Sequence, residues 1–133
     1  MTNLERWHEV IKNRDPSLLD DLLDENCVFF SPIVHTPQEG RELTKLYLAA
    51  AMQVLGEGFG YDKEIVDGNQ MVLEFHGSNE GININGVDII SWNDAGKIVE
   101  FKVMVRPLKA VNLMHGMMKN MLEQMSGGFT PQH

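Results

Sequence analysis

At Gly56–Gly60 the hydrophobic period of this chain changes from helical to alternating, and that change limits the folds open to it. The segment just before it repeats at helical spacing; the four segments after it alternate, as on a half-buried strand. The stretch Arg41 to Leu55 places Leu43, Leu46, Tyr47, Ala50 and Val54 on one helix face, and Gly56, Gly58 and Gly60 end it. Four strands follow at Tyr61–Val66, Met71–His76, Ile82–Trp92 and Ile98–Arg106. Turn signals separate them at Asp67-Gly68, Ser78–Gly81 and Asn93-Asp94-Ala95-Gly96. Pro107 stops the last strand, and Leu108–Met125 reads as a closing helix with Val111, Met114, Met118, Met121, Leu122 and Met125 on one stripe. Gly127-Gly128 and Pro131 lie beyond it, and residues 126–133 are expected to be a disordered tail.

The first 40 residues complete the outline. Thr2 and Glu5 fit a capping box ahead of a helix carrying Leu4, Trp7, His8 and Ile11. Asp15 and Pro16 start a second short helix with Leu18, Leu19, Leu22 and Leu23 as its apolar residues. Cys27-Val28-Phe29-Phe30 reads as a strand, and Pro32 and Pro37 bracket a loop. Helices first and antiparallel strands after them define an α+β fold, with helices packed on one face of a curved sheet. At 133 residues, with no internal repeat and no linker, the chain is expected to form one domain over 1–133.

Charge excludes several functions. The chain carries 19 acidic and 11 basic residues, a net charge of −8, which disfavours nucleic acid and anionic membrane as partners. The imbalance is local: residues 1–96 hold 17 acidic and 6 basic side chains, whereas residues 97–133 hold 2 and 5. No apolar run is long enough to span a membrane and the N-terminus does not read as a signal peptide, so the expected compartment is the cytoplasm. A single cysteine, Cys27, excludes an internal disulfide and a cysteine-based zinc site, and the five histidines have no metal-ligand spacing. No metal and no organic cofactor is expected. The Gly56–Gly60 glycines follow a helix rather than open one, so they do not form a phosphate loop.

One residue breaks the apolar pattern. On the strand Ile82–Trp92, Asp88 shares a face with Ile84, Gly86, Ile90 and Trp92. A charged carboxylate in an apolar row costs several kcal/mol, so the group either holds its proton or pairs with a cation. Both outcomes mark a candidate site, against the alternative of a structural carboxylate satisfied by a helix N–H or a tyrosine. His35, in the Pro32–Pro37 loop, can reach a pocket rim. The opposite sheet face is mixed, with Val87, Ile89, Met104 and Lys102 on it, which suggests a homodimer through that face. The next strand is read with Phe101 and Val103 inward and Ile98, Glu100 and Lys102 outward. Five of nine methionines lie in the last 20 residues, and that helix can lid a pocket or pack on a second subunit.

The order of elements resembles the nuclear transport factor 2-like superfamily, a cystatin-like cone in which a curved antiparallel sheet wraps a long helix. Phe30-Ser31-Pro32 with Gly40-Arg41 resembles the strand–loop–helix joint of SnoaL-like proteins. Gly86-Val87-Asp88, Asn93 to Ile98 and Val105-Arg106-Pro107 resemble their C-terminal hairpin. The resemblance covers roughly residues 1–110 and implies a deep apolar cavity. Laid against ketosteroid isomerases, the general-base position falls on Ser31, the oxyanion-hole tyrosine on Trp7, a pocket aromatic on Tyr47, the oxyanion-hole acid on Asp88 and a last-strand pocket residue on Phe101. One of those three catalytic positions, Asp88, is kept. A serine is no base at neutral pH without its own activator. Limonene epoxide hydrolases place an arginine two residues before a catalytic aspartate, where this chain has Gly86. Polyketide cyclases of the SnoaL type use an Asp/His arrangement, which Asp88 with His35 would imitate.

The resemblance implies a cavity lined by Trp7, Ser31, Tyr47, Ile84, Asp88, Ile90, Phe101 and Val103, with His35 at its rim. It would take an apolar small molecule bearing a carbonyl or hydroxyl, with Asp88 as the acid–base residue of an isomerase or cyclase. The alternative is a non-catalytic dimeric ligand-binding or protein-interaction module.

Overall fold

The computed structural model describes residues 1–56 and 58–125, so the expected disorder of 126–133 lies outside the described residues. The chain opens with α1 (Asn3–Asn13), whose Thr2–Glu5 capping box is formed in both directions. Asp15 then accepts from the Ser17 backbone N–H and starts a single 3-10 turn, Pro16–Leu18, running into the four-residue helix α2 (Leu19–Leu22). Leu23, read above as the end of that helix, instead opens strand β1 (Leu23–Phe30). A two-residue strand β2 (Gln38–Glu39) leads into α3 (Arg41–Leu55). Then come β3 (Gly60–Asp67), β4 (Gln70–Asn79), β5 (Ile82–Trp92), β6 (Ile98–Arg106) and α4 (Leu108–Met125).

The strands form one curved, unclosed six-stranded sheet in the order β2-β1-β6-β5-β4-β3. Every neighbouring pair is antiparallel except β1 and β6, which run parallel. The α+β layout therefore stands, with a parallel seam where the first strand joins the last. That seam follows from order: β1 precedes α3 and the hairpins, so its partner is reached only after the chain has crossed the sheet.

On β5 the inner face carries Ile84, Gly86, Asp88, Ile90 and Trp92, all buried, while Asn83, Asn85, Val87, Ile89 and Ser91 are partly or fully exposed. On β6 the alternation is broken once. Ile98, read as outward beside Glu100, is fully buried. A register shift between Ser91 and Trp92 sets Ile98 opposite Trp92, and one extra residue moves a side chain to the other face.

Helix α3 lies in the concavity, against β1 on one side and α4 on the other. It is therefore buried on more than one stripe: Thr44, Tyr47, Leu48, Ala49, Ala50, Val54 and Leu55 are all covered. Helix α4 covers the open side of the cone, burying Ala110, Met114, Met118 and Leu122, spaced one turn apart. The methionine-rich helix thus closes the chain's own core. No helix among the described residues is long and apolar enough to cross a membrane.

Candidate functional site

Three polar side chains meet at the inner face of the sheet. Asp88 is 6% exposed, with Leu73 beside it on β4 and Val103 on β6. Tyr61, at the start of β3, donates its hydroxyl proton to Asp88 Oδ2 at 2.6 Å. Trp7, on α1, donates its indole N–H to the Tyr61 oxygen at 2.9 Å. An indole N–H can only donate, so the tyrosine oxygen accepts there, and toward an ionised Asp88, which can only accept, the phenol proton is the donor. Oδ2 is thereby occupied, and Oδ1 is the oxygen left for a ligand.

Burial pushes the Asp88 carboxyl up from 3.8 to about 7, against the opposing pull of the Tyr61 hydrogen bond. The same burial, reinforced by the neighbouring carboxylate, pushes the Tyr61 phenol well above its usual value of 10, so it stays a neutral donor. A carboxyl at about 7 is divided between its two protonation states at neutral pH.

The surroundings are aromatic. Phe59 packs edge-on to Tyr61 and at 5.5 Å from Phe75, while Trp7 lies 5.1 Å from Phe101. Together with Leu48, Ala51, Met52 and Leu55 of α3 and Met114 of α4, they enclose a cavity that has Asp88 and Tyr61 on its wall. Ile11 and Arg14 from the end of α1 complete it. Its volume is about 50 Å³. That is room for a few water molecules, and less than the ~150 Å³ that admits benzene in an apolar core. A larger ligand has to displace side chains, and the unbranched Met52 and Met114 are the wall residues best able to move.

Of the residues singled out from sequence, Trp7, Asp88, Phe101 and Val103 line this cavity. Ile84 and Ile90 are fully buried in the sheet row that flanks Asp88. Ser31 and Tyr47 lie elsewhere, on a separate pocket of about 20 Å³ under α4 with Ile33, Val34, His115 and Met118. The Ser31 hydroxyl accepts from the backbone N–H groups of Ile33 and Val34, so it builds the loop. Tyr47 stacks on Phe29 at 5.3 Å. His35 is exposed in a groove on the outer side with Phe30 and Lys102. The expected single cavity is thus divided, and His35 is not on the wall shared with Asp88.

Tyr61 was not among the residues singled out. Its signal was present but misleading. Counting back from the Asp67-Gly68 turn pairs Tyr61 with His76, on the outer face. A register shift between Tyr61 and Glu64 pairs it instead with Phe75, on the inner face.

Gly86 has a physical reason as well. A Cβ there would sit 2.5 Å from the Phe75 ring and 2.5 Å from the Met104 carbonyl oxygen. The ring lies over the glycine, so any side chain two residues before Asp88, an arginine included, would force the ring or the strand to shift. Among the described residues, no three His, Cys, Asp or Glu side chains converge as a metal site would require.

The cone and its buried acid define the chain as a small α+β protein with one titratable carboxyl in an apolar cavity. A SnoaL-like domain model matches residues 4–101, and the chain belongs to that family. A steroid delta-isomerase from Pseudomonas aeruginosa is 34% identical, with 94% of this chain and 92% of that one covered and a TM-score of 0.89. A bacterial protein with a cystatin-like fold from Silicibacter pomeroyi is 31% identical over 89% and 83% of the two chains, with a TM-score of 0.83. SalBIII, an epoxide hydrolase/cyclase-like enzyme of pyran ring formation in salinomycin, shares the fold at 18% identity and a TM-score of 0.63 over 80% and 92% of the chains. No curated protein matches the sequence.

Proposed function

We propose that this protein binds an apolar small molecule bearing a carbonyl or hydroxyl and that Asp88 exchanges a proton with it, as the acid–base residue of a cofactor-independent isomerase or cyclase. The observation that carries this reading is the Trp7–Tyr61–Asp88 chain ending in an apolar cavity. A carboxyl poised near neutrality can take a proton from carbon and return it, or protonate an oxygen, at one atom, Oδ1. The likeness to a steroid delta-isomerase supports a proton-shuttling activity. A steroid nucleus far exceeds 50 Å³, so the ligand is either smaller or enters by moving the Met52 and Met114 side chains.

A second reading, ligand binding without turnover, is favoured by one specific observation. Asp88 is the sole carboxyl on the wall of the described cavity, and Ser31 is turned to a different pocket. In either reading we place the protein in the cytoplasm as a homodimer joined through the outer sheet face, where Val72, Val87 and Ile89 are only half-covered.

A panel of enones and lactones offered to the wild type and to Asp88→Asn separates the two readings. Catalysis through Asp88 is expected to fall at least ~100-fold in the variant. Equal turnover in both proteins removes Asp88 from the mechanism. Ligands that bind the wild type and are recovered unchanged establish the second reading.

A further inference from the structure

Asp88 and Arg14 are the charged residues on the wall of the cavity, and they come from different parts of the fold: the middle of β5 and the residue that ends α1. Arg14 sits in the left-handed region at φ 51°, with its backbone N–H bonded to the Val10 carbonyl. Its guanidinium donates one N–H to the carbonyl of Gly56, the residue that ends α3. The arginine therefore spans the ends of two helices at one side of the cavity. A guanidinium carries five N–H donors in a planar fork, so donors remain after the Gly56 bond. Arg14 is itself exposed, whereas Asp88 is buried, so the cavity has a cationic outer end and a titratable inner end. Residues 1–96, Arg14 and Asp88 included, hold 17 acidic and 6 basic side chains, a field that repels anions.

From this placement we propose that Arg14 recognises an anionic group on the ligand, so that the preferred occupant is an apolar molecule with an oxygen function at one end for Tyr61 and Asp88 and a carboxylate at the other. The inference rests on the cavity reading above. It narrows that reading from any apolar carbonyl or hydroxyl compound to an acid. Gly56 already holds the guanidinium at the rim, so binding would not have to order a free side chain.

The test is calorimetric titration at pH 6 with two probes of the same shape, 4-hydroxybenzoate and the neutral 4-hydroxybenzamide. The wild type is expected to bind the carboxylate about fivefold more tightly, the range of an exposed ion pair. Arg14→Lys should retain most of that preference. Arg14→Gln, which keeps an amide donor for Gly56, should lose it while its affinity for 4-hydroxybenzamide changes by less than about twofold. Asp88→Asn should weaken both probes alike. Equal affinity for the two probes in the wild type, with both weakened by Asp88→Asn, overturns the role of Arg14 and leaves the cavity reading standing. Failure of both probes to bind the wild type overturns both.

Discussion

At the scale of single residues, the behaviour of Asp88 follows from where its two oxygens point. Its proton is held more tightly in the folded chain, at about 7, than in the unfolded chain, at 3.8. Between those pH values the folded state binds more protons than the unfolded one, so stability falls as pH rises through this window. The displacement corresponds to roughly 4 kcal/mol at full ionisation. Asp88→Asn keeps an oxygen for the Tyr61 hydroxyl and removes the titration. Denaturant melts at pH 4 and pH 8 should show a wild type that weakens with pH and a variant that does not, with the variant the more stable at pH 8. Tyr61→Phe acts in the opposite sense on the same group. It leaves Trp7 Nε1 and Asp88 Oδ2 without their partner, at a cost of about 1–3 kcal/mol. It also removes the one interaction that lowers the Asp88 pKa, so a carbon-detected NMR titration should place that pKa higher than in the wild type.

At the scale of elements, β5 is the strand on which the site depends, and its shape depends on Gly86. Phe75 occupies the volume that any side chain at Gly86 would need, with two ring atoms within 2.9 Å of a Cβ built there. The ring cannot retreat freely because Phe59 packs against it at 5.5 Å. Gly86→Ala is expected to cost about 1–3 kcal/mol through overpacking. Pairing it with Phe75→Leu should recover part of that loss, which a double-mutant cycle in urea measures directly. Additive costs would mean that the Met104 carbonyl, which is also 2.5 Å away, sets the limit instead.

At the scale of the whole molecule, the cone has one covered face and one open face. Helices α3 and α4 fill the concave side. The convex side shows half-buried Val72, Val87 and Ile89 next to Met104, which is 49% exposed. If two copies meet there, Met104→Lys sets an unpaired charge in the interface while leaving the inner core untouched. Light scattering at micromolar concentration should then give a dimer mass for the wild type and a monomer mass for the variant, with similar thermal melts for the dissociated chains. A monomeric wild type would remove the homodimer.

The sequence by itself determined most of the elements and the row in which Asp88 stands, but neither the two-residue β2 nor the start of β1 at Leu23. The ends of α3, β5 and β6 and the start of α4 follow from glycine, proline and the change of period, because these act through local backbone geometry. The burial of Asp88 follows from strict alternation along β5. Only the tertiary structure decided what Asp88 touches. Tyr61 reaches it through a register shift that turns one strand end inward, and Ile98 turns inward by another. The pairing of β1 with β6, the separation of Ser31 from the cavity and the arrival of Arg14 at its rim depend on contacts between residues far apart in the chain. A one-residue shift reverses the face of a side chain without altering the hydrophobic pattern enough to announce itself, so alternation identifies the acid but not its partner.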